Sequence, residues 1–152
     1  MTFRRGARLG VDVGTVRIGV ARCDPDGILA TPVETVARGD GDLRRLSVLA
    51  TEYDVVEIVV GLPLTLAGKQ GIAAEQVEAF AARLAAAVEV PVRIVDERLS
   101  TAAAQKSLHA MGKDTRDSRS VIDQAAAALI VQSAVDLEKA TGEPAGRVVT
   151  AR

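Results

Sequence analysis

Three acidic residues occupy positions that solubility does not explain: Asp12, Glu97 and Asp123. Asp12 lies inside Leu9-Gly10-Val11-Asp12-Val13, an alternating run that reads as a strand. It is opposite in parity to Leu9, Val11 and Val13. Its same-face neighbours Gly10 and Gly14 lack side chains, which leaves space above the carboxylate. A charge in a hydrophobic strand is costly unless it is paired or ligating, so Asp12 reads as functional. Glu97 follows the short apolar run 91–95, and the C-terminal ends of parallel strands are where open α/β sheets bind ligands. Its neighbours Asp96 and Arg98 equally allow a salt bridge at a strand end. Asp123 stands in Ser120-Val121-Ile122-Asp123, which matches a capping box, and spacing alone favours that role. The small residues that follow, Gln124-Ala125-Ala126-Ala127-Ala128, would let this helix approach a sheet closely and bring Asp123 to the strand ends.

Three converging carboxylates without His or Cys partners suit hard cations bound through oxygen, one or two Mg²⁺ or Mn²⁺ ions. Two such ions about 3.5–4 Å apart support in-line displacement at phosphorus by water.

The elements that must position these groups follow from pattern. Runs 8–13, 16–22 and 28–36 read as strands, separated by Gly14-Thr15 and by the turn Asp24-Pro25-Asp26-Gly27. They make an antiparallel meander, with Pro32 either interrupting the third strand or placing it at a sheet edge. A helix capped by Asp40 or Asp42 extends to about 53, followed by an apolar run at 55–60 typical of a buried parallel strand. After the Gly/Pro-punctuated loop 61–71, Val77, Phe80, Ala81, Leu84 and Val88 recur at helical spacing. A short strand at 91–95 leads to a helix capped by Ser100 and running to about 111. A polar connector at 112–119 and a last helix opening at Ser120 complete the order. The expected fold is α/β, a mixed sheet flanked by helices. Residues 1–142 form one domain, and 143–152 form a mobile tail.

Composition sets limits. At 152 residues, 48% hydrophobic and 26% charged, the chain is not disordered. No apolar run approaches the ~20 residues of a membrane span, and Asp12 breaks the stretch behind the basic N-terminus, so no secretory core is expected. A cytoplasmic protein with no membrane partner is the expectation. The lone Cys23 excludes an internal disulfide and a multi-Cys zinc site; it reads as a packed thiol. The net charge of −1 hides two basic stretches. Residues 1–22 carry Arg4, Arg5, Arg8, Arg17 and Arg22 against Asp12, and residues 98–120 carry Arg98, Lys106, Lys113, Arg116 and Arg119 against Asp114 and Asp117. On charge alone these are solvated faces. Phe3, Tyr53 and Phe80 are too dispersed to make a base-stacking platform, so nucleic acid would be held by shape and phosphates. Between Gly61 and Lys69 the spacing and hydroxyl of a Walker A loop are missing.

Four segments in order resemble the YqgF/RuvX family of RNase H-like nucleases. They are Leu9-Gly10-Val11-Asp12-Val13-Gly14-Thr15-Val16-Arg17-Ile18-Gly19-Val20-Ala21, Gly61-Leu62-Pro63-Leu64 with Gly68, Asp96-Glu97-Arg98-Leu99-Ser100-Thr101, and Ile122-Asp123-Gln124-Ala125-Ala126-Ala127. The resemblance implies an RNase H-like fold and places the family's catalytic, metal-holding acids on Asp12, Glu97 and Asp123. It implies that Gly14, Thr15 and Arg17 lie beside the metal, with Arg17 a phosphate contact. It also sets the 61–71 loop and Ser100 or Thr101 near the substrate path, with Arg98, Lys113, Arg116 and Arg119 as further backbone contacts. Family members have been linked to resolving branched DNA, a task that favours a homodimer, and to maturing the 5′ end of pre-16S ribosomal RNA on ribosomal particles. Two alternatives stand beside this. One is a non-catalytic binder of structured RNA. The other is an actin-like ATPase, which shares the Asp12-Val13-Gly14-Thr15 opening but needs two such domains.

Overall fold

A computed structural model describes residues 3–65, 67–100 and 116–151. Strands β1 (Arg8–Val13), β2 (Arg17–Cys23), β3 (Ala30–Ala37), β4 (Glu57–Leu62), β5 (Val92–Asp96) and β6 (Arg147–Val148) form a sheet in the order β3-β2-β1-β4-β5-β6. The helices are α1 (Asp42–Glu52), α2 (Ile72–Ala87) and α3 (Arg116–Thr141), and a 3-10 turn, Glu97–Leu99, follows β5. The meander β1-β2-β3 is antiparallel, β4 and β5 add in parallel to β1, and β6 returns antiparallel. This is the mixed, helix-flanked sheet that the pattern predicts. Pro32 indeed lies on the edge strand, opposite Ala21 at a bulge. The helix predicted after Ser100 lies outside the described residues.

Alternation along each strand sorts the core into two layers. Leu9, Val11, Ile18, Val20, Ile58 and Val60 pack with Leu46 and Leu49 of α1 and Val77, Phe80 and Leu84 of α2. On the other face Cys23, Val59 and Val95 pack with Ala126, Ile130, Val131, Ala134 and Val135 of α3. Burial pushes the Cys23 thiol up from its ordinary value, consistent with a packed, inert sulfur. Glycines on the α3 face let the helix settle onto the sheet. A Cβ on Gly10 would lie 2.6 Å from the Ala127 carbonyl oxygen, and one on Gly19 would overlap the backbone carbonyl of Asp123. The space expected over Gly10 is therefore filled by α3 rather than open above Asp12.

One further expectation is corrected, and two others meet new observations. Helix α3 already covers Arg116, so Ser120 lies inside it and no capping box forms there; the Ser120 carbonyl instead accepts from Thr35 Oγ1 at 3.1 Å. By length and composition Arg119–Thr141 could cross a membrane; alanine raises its hydropathy without a continuous run of large apolar residues. In the fold, its apolar stripe lies on the sheet. The segment after Gly142 contributes β6, too short to show a period. Gly146 turns at φ +66°, Val149 N–H donates to Val92 O at 2.8 Å, and Arg147 pairs with Glu78.

At the N-terminal ends of β1 and β4 a cluster of charges is enclosed. Arg8 is 1% exposed, 3.5 Å from Glu57 and 3.4 Å from Glu138. Arg4 bonds both acids, at 3.1 and 2.7 Å, and Arg93 adds 3.3 Å to Glu57. Two of the five arginines of the first basic stretch, Arg4 and Arg8, are thus tied up in ion pairs at this end of the sheet. Burial raises the Glu138 carboxyl, but donation from the Arg4 side chain and backbone outweighs it, leaving it below its ordinary 4.5. A lowered folded value stabilises above pH 4.5, and that contribution fades as pH falls further. Glu138→Gln should cost about 3 kcal/mol at neutral pH, because it takes one of two carboxylate partners from the buried Arg8. It should also flatten the loss of stability below pH 4.5; urea midpoints at about pH 7 and about pH 3.5 read both effects.

Candidate active site

The β1–β2 turn and the end of β5 bring two of the acids together. Gly14 N–H donates to Arg17 O at 2.8 Å, closing the turn that follows β1. A Cβ at Gly14 would stand 2.7 Å from that same oxygen, so a side chain there would open the turn. Asp12, 3% exposed, pairs across the strands with Gly19. At the end of β5 the Asp96 carboxylate accepts from Arg98 N–H at 2.9 Å and starts the 3-10 turn. Arg98 returns its guanidinium to Asp96 at 2.6 Å, and this side-chain bond is the main cause that holds the Asp96 carboxyl below its ordinary value. The strand-end salt bridge therefore belongs to Asp96. Glu97, 5% exposed, turns into the same cleft as Asp12. That cleft, about 220 Å³, is also walled by Gly14, Thr15, Arg38, Pro63 and Gln76.

Asp123 reaches this end of the sheet by backbone, over Gly19 beside Asp12. Its carboxylate accepts from Arg17 Nε at 2.8 Å. Among the described residues, no three His, Cys, Asp or Glu side chains converge at metal-binding spacing as they stand. The donor set still fits a hard cation. Two buried carboxylates share a cleft without His or Cys, an arrangement of like charges that favours an added divalent charge. Bringing Asp123 to them would exchange its charge-assisted bond with Arg17 for the cation.

Of the other candidates, Thr15 is exposed on the turn, Ser100 Oγ donates to Glu97 O at 3.0 Å, and Arg119 is exposed on α3. Arg116 lies on α3, with its side chain outside the described set. Thr101 and Lys113 lie outside the described residues. The 61–71 loop folds back through Thr65 N–H to Lys69 O at 3.0 Å. Its Gly68, at φ +79°, abuts the Arg98 guanidinium, 3.2 Å from where a Cβ would stand. Phe80 is fully buried and Tyr53 lies under Arg22, so neither offers a stacking face. Two cleft residues carried no sequence signal: Arg38, just past an edge strand, and Gln76, on the outer side of α2.

A mixed sheet covered by helices on both faces, with acids at the ends of β1 and β5, is an RNase H-like architecture of the kind nucleases use. Residues 6–137 match the family model described as "RuvX: Holliday junction resolvase", and the chain belongs to that family. It is 54% identical over 150 residues to a Clavibacter michiganensis subsp. michiganensis protein, covering 97% of this chain and 93% of the relative. Against a protein of Streptomyces coelicolor the figures are 54%, 97% and 90%. Both relatives carry the name "Putative pre-16S rRNA nuclease". Among solved structures, Thermus thermophilus RuvC bound to a Holliday junction substrate superposes with a TM-score of 0.57 at 12% identity. The match covers 93% of this chain and 98% of that one. A second Thermus thermophilus RuvC structure gives 0.54 over 93% and 99%. At that identity the likeness is one of fold.

Proposed function

We propose that this protein is a metal-dependent endonuclease that hydrolyses phosphodiester bonds in the 5′ leader of the small-subunit ribosomal RNA precursor, leaving 5′-phosphate and 3′-hydroxyl ends. The observation that carries the chemistry is the pair of buried carboxylates, Asp12 and Glu97, facing one cleft at the strand ends. RNA is preferred over branched DNA because relatives more than half identical over nearly the whole chain bear the rRNA nuclease name. The junction-bound neighbour shares only the fold.

Asp12 and Glu97 would hold Mg²⁺ or Mn²⁺, with Asp123 as a third ligand. A divalent ion there supplies Lewis acidity toward the phosphoryl oxygens and activates water for in-line attack. The chain's own part is positional. The Gly14 turn fixes Asp12, the Asp96 cap orients Glu97, and Gly19 seats the Asp123 backbone on the strand beside Asp12. Arg17 is placed to exchange Asp123 for a substrate phosphate, which would release the carboxylate as the backbone arrives.

The test is cleavage of an RNA carrying the 5′ leader and of a four-way DNA junction, each with Mg²⁺, Mn²⁺ or EDTA. Metal-dependent cutting of the RNA alone is expected, with binding in EDTA that weakens as salt rises. Cutting of the junction alone would transfer the assignment to DNA resolution by a homodimer. Salt-dependent binding without cleavage, with ribosomal particles also present, would leave a structured-RNA binder and remove the catalytic claim.

A further inference from the structure

We infer that Arg38 is a phosphate-binding residue of the cleft that holds Asp12 and Glu97, an inference that rests on the nuclease reading above. Arg38 is the cation among the cleft's described lining residues, and its side chain is 24% exposed. The other two arginines near this end are committed to acids at short range, Arg17 to Asp123 at 2.8 Å and Arg98 to Asp96 at 2.6 Å.

Arg38 is held differently. Its acidic neighbour Asp42 stands 3.6 Å from Nε, too far for a hydrogen bond. The Asp42 oxygens instead accept from the backbone, Oδ2 from Gly39 N–H at 3.1 Å and Oδ1 from Leu43 N–H at 2.7 Å. Asp42 therefore offsets part of the Arg38 charge without taking up its hydrogen-bond donors, which remain available to the cleft. Arg38 is nevertheless fixed in position. Nη1 donates to the Gly14 carbonyl at 2.7 Å, and the guanidinium lies 4.9 Å from the centroid of the buried Phe80 ring. Nη2 is not used in these contacts, and a guanidinium can donate from one edge while the other meets a phosphate.

A preset cation beside two buried carboxylates offsets the repulsion a phosphodiester would meet on entering the cleft. It does so without the side-chain ordering that a surface lysine must undergo on binding. Its link to Gly14 ties that contact to the turn carrying Asp12. The ligand class is a nucleic-acid phosphate flanking the bond that is cut.

Salt dependence separates this role from mere bracing of the turn. Removing one phosphate contact lowers the slope of log K against log salt by about 0.7 for single strands and 0.9 for duplex. Binding of the leader RNA and of the four-way junction would be titrated in EDTA for wild type, Arg38→Gln and Arg38→Lys, with melting temperatures alongside. Arg38→Gln should bind roughly tenfold more weakly with the shallower slope, and Arg38→Lys should recover the slope. The Arg38 N–H to Val16 O bond, 2.9 Å, belongs to the backbone and survives all three side chains, while the melting temperatures report any cost of losing the Nη1 bond to Gly14. A wild-type slope in Arg38→Gln overturns the inference, as does a slope lost equally in Arg38→Lys together with a lowered melting temperature. If wild type binds neither nucleic acid, the nuclease reading itself fails and this inference falls with it.

Discussion

Asp12→Asn is expected to abolish cleavage while leaving the protein at least as stable as wild type. The two effects have different origins. A metal ion contributes several kcal/mol of charge stabilisation in the transition state. At about 1.36 kcal/mol per decade, losing its ligand lowers kcat by roughly a thousandfold or more. Stability moves the other way because Asp12 is 3% exposed and shares a cleft with Glu97. Two buried carboxylates facing one cleft repel each other, and the isosteric amide removes one charge without changing volume. Glu97→Gln should behave likewise. Single-turnover cleavage at saturating Mg²⁺ and thermal melting in EDTA measure the two halves separately. Retained cleavage in Asp12→Asn would dismiss the carboxylate mechanism. Lost cleavage with a collapsed melting temperature would show Asp12 to be structural.

Asp12 was legible in the sequence because strand parity is a strict rule: a carboxylate out of phase with Leu9, Val11 and Val13 must lie on a different face. Pro32 betrayed the edge strand for an equally local reason, its missing N–H. Asp123 was ambiguous because capping boxes and catalytic acids share the spacing Ser-x-x-Asp. The span of α3 across Ser120 and the bond to Arg17 remove the cap. Arg38 was not legible at all, since its role arises from three elements meeting: the β1–β2 turn, α1 through Asp42 and α2 through Phe80. The buried cluster of Arg4, Arg8, Glu57 and Glu138 was hidden for the same reason, with partners as many as 134 residues apart. What a sequence displays locally is periodicity and turn chemistry; long-range ionic partners have no period.

Gly19→Ala should be the most damaging single-methyl change in the sheet. The added Cβ would overlap the carbonyl carbon and oxygen of Asp123 and lie 3.0 Å from its Cα, all backbone atoms of α3. Backbone in mid-helix cannot rotate aside, so the helix must lift from the sheet and loosen Ala126, Ala127 and Ile130 from their packing. Overpacking of this kind costs about 3 kcal/mol or more, or roughly 6–12 °C in melting temperature for a chain of this size. Gly61→Ala provides the internal control. Its Cβ would meet Ile130 Cδ1 at 2.6 Å, the flexible end of a side chain that can yield, and the cost should stay near 1 kcal/mol. The functional consequence is separable from unfolding. Gly19 pairs with Asp12 across β1 and β2, so lifting α3 draws Asp123 away from Asp12 by the same displacement. A shift of about 1 Å in a catalytic group can cost about a hundredfold in rate. Cleavage measured well below the variant's melting point should therefore be depressed in Gly19→Ala and nearly normal in Gly61→Ala. Equal activity in the two would mean that the position of Asp123 over Gly19 does not matter to the reaction, and the third carboxylate would drop out of the site.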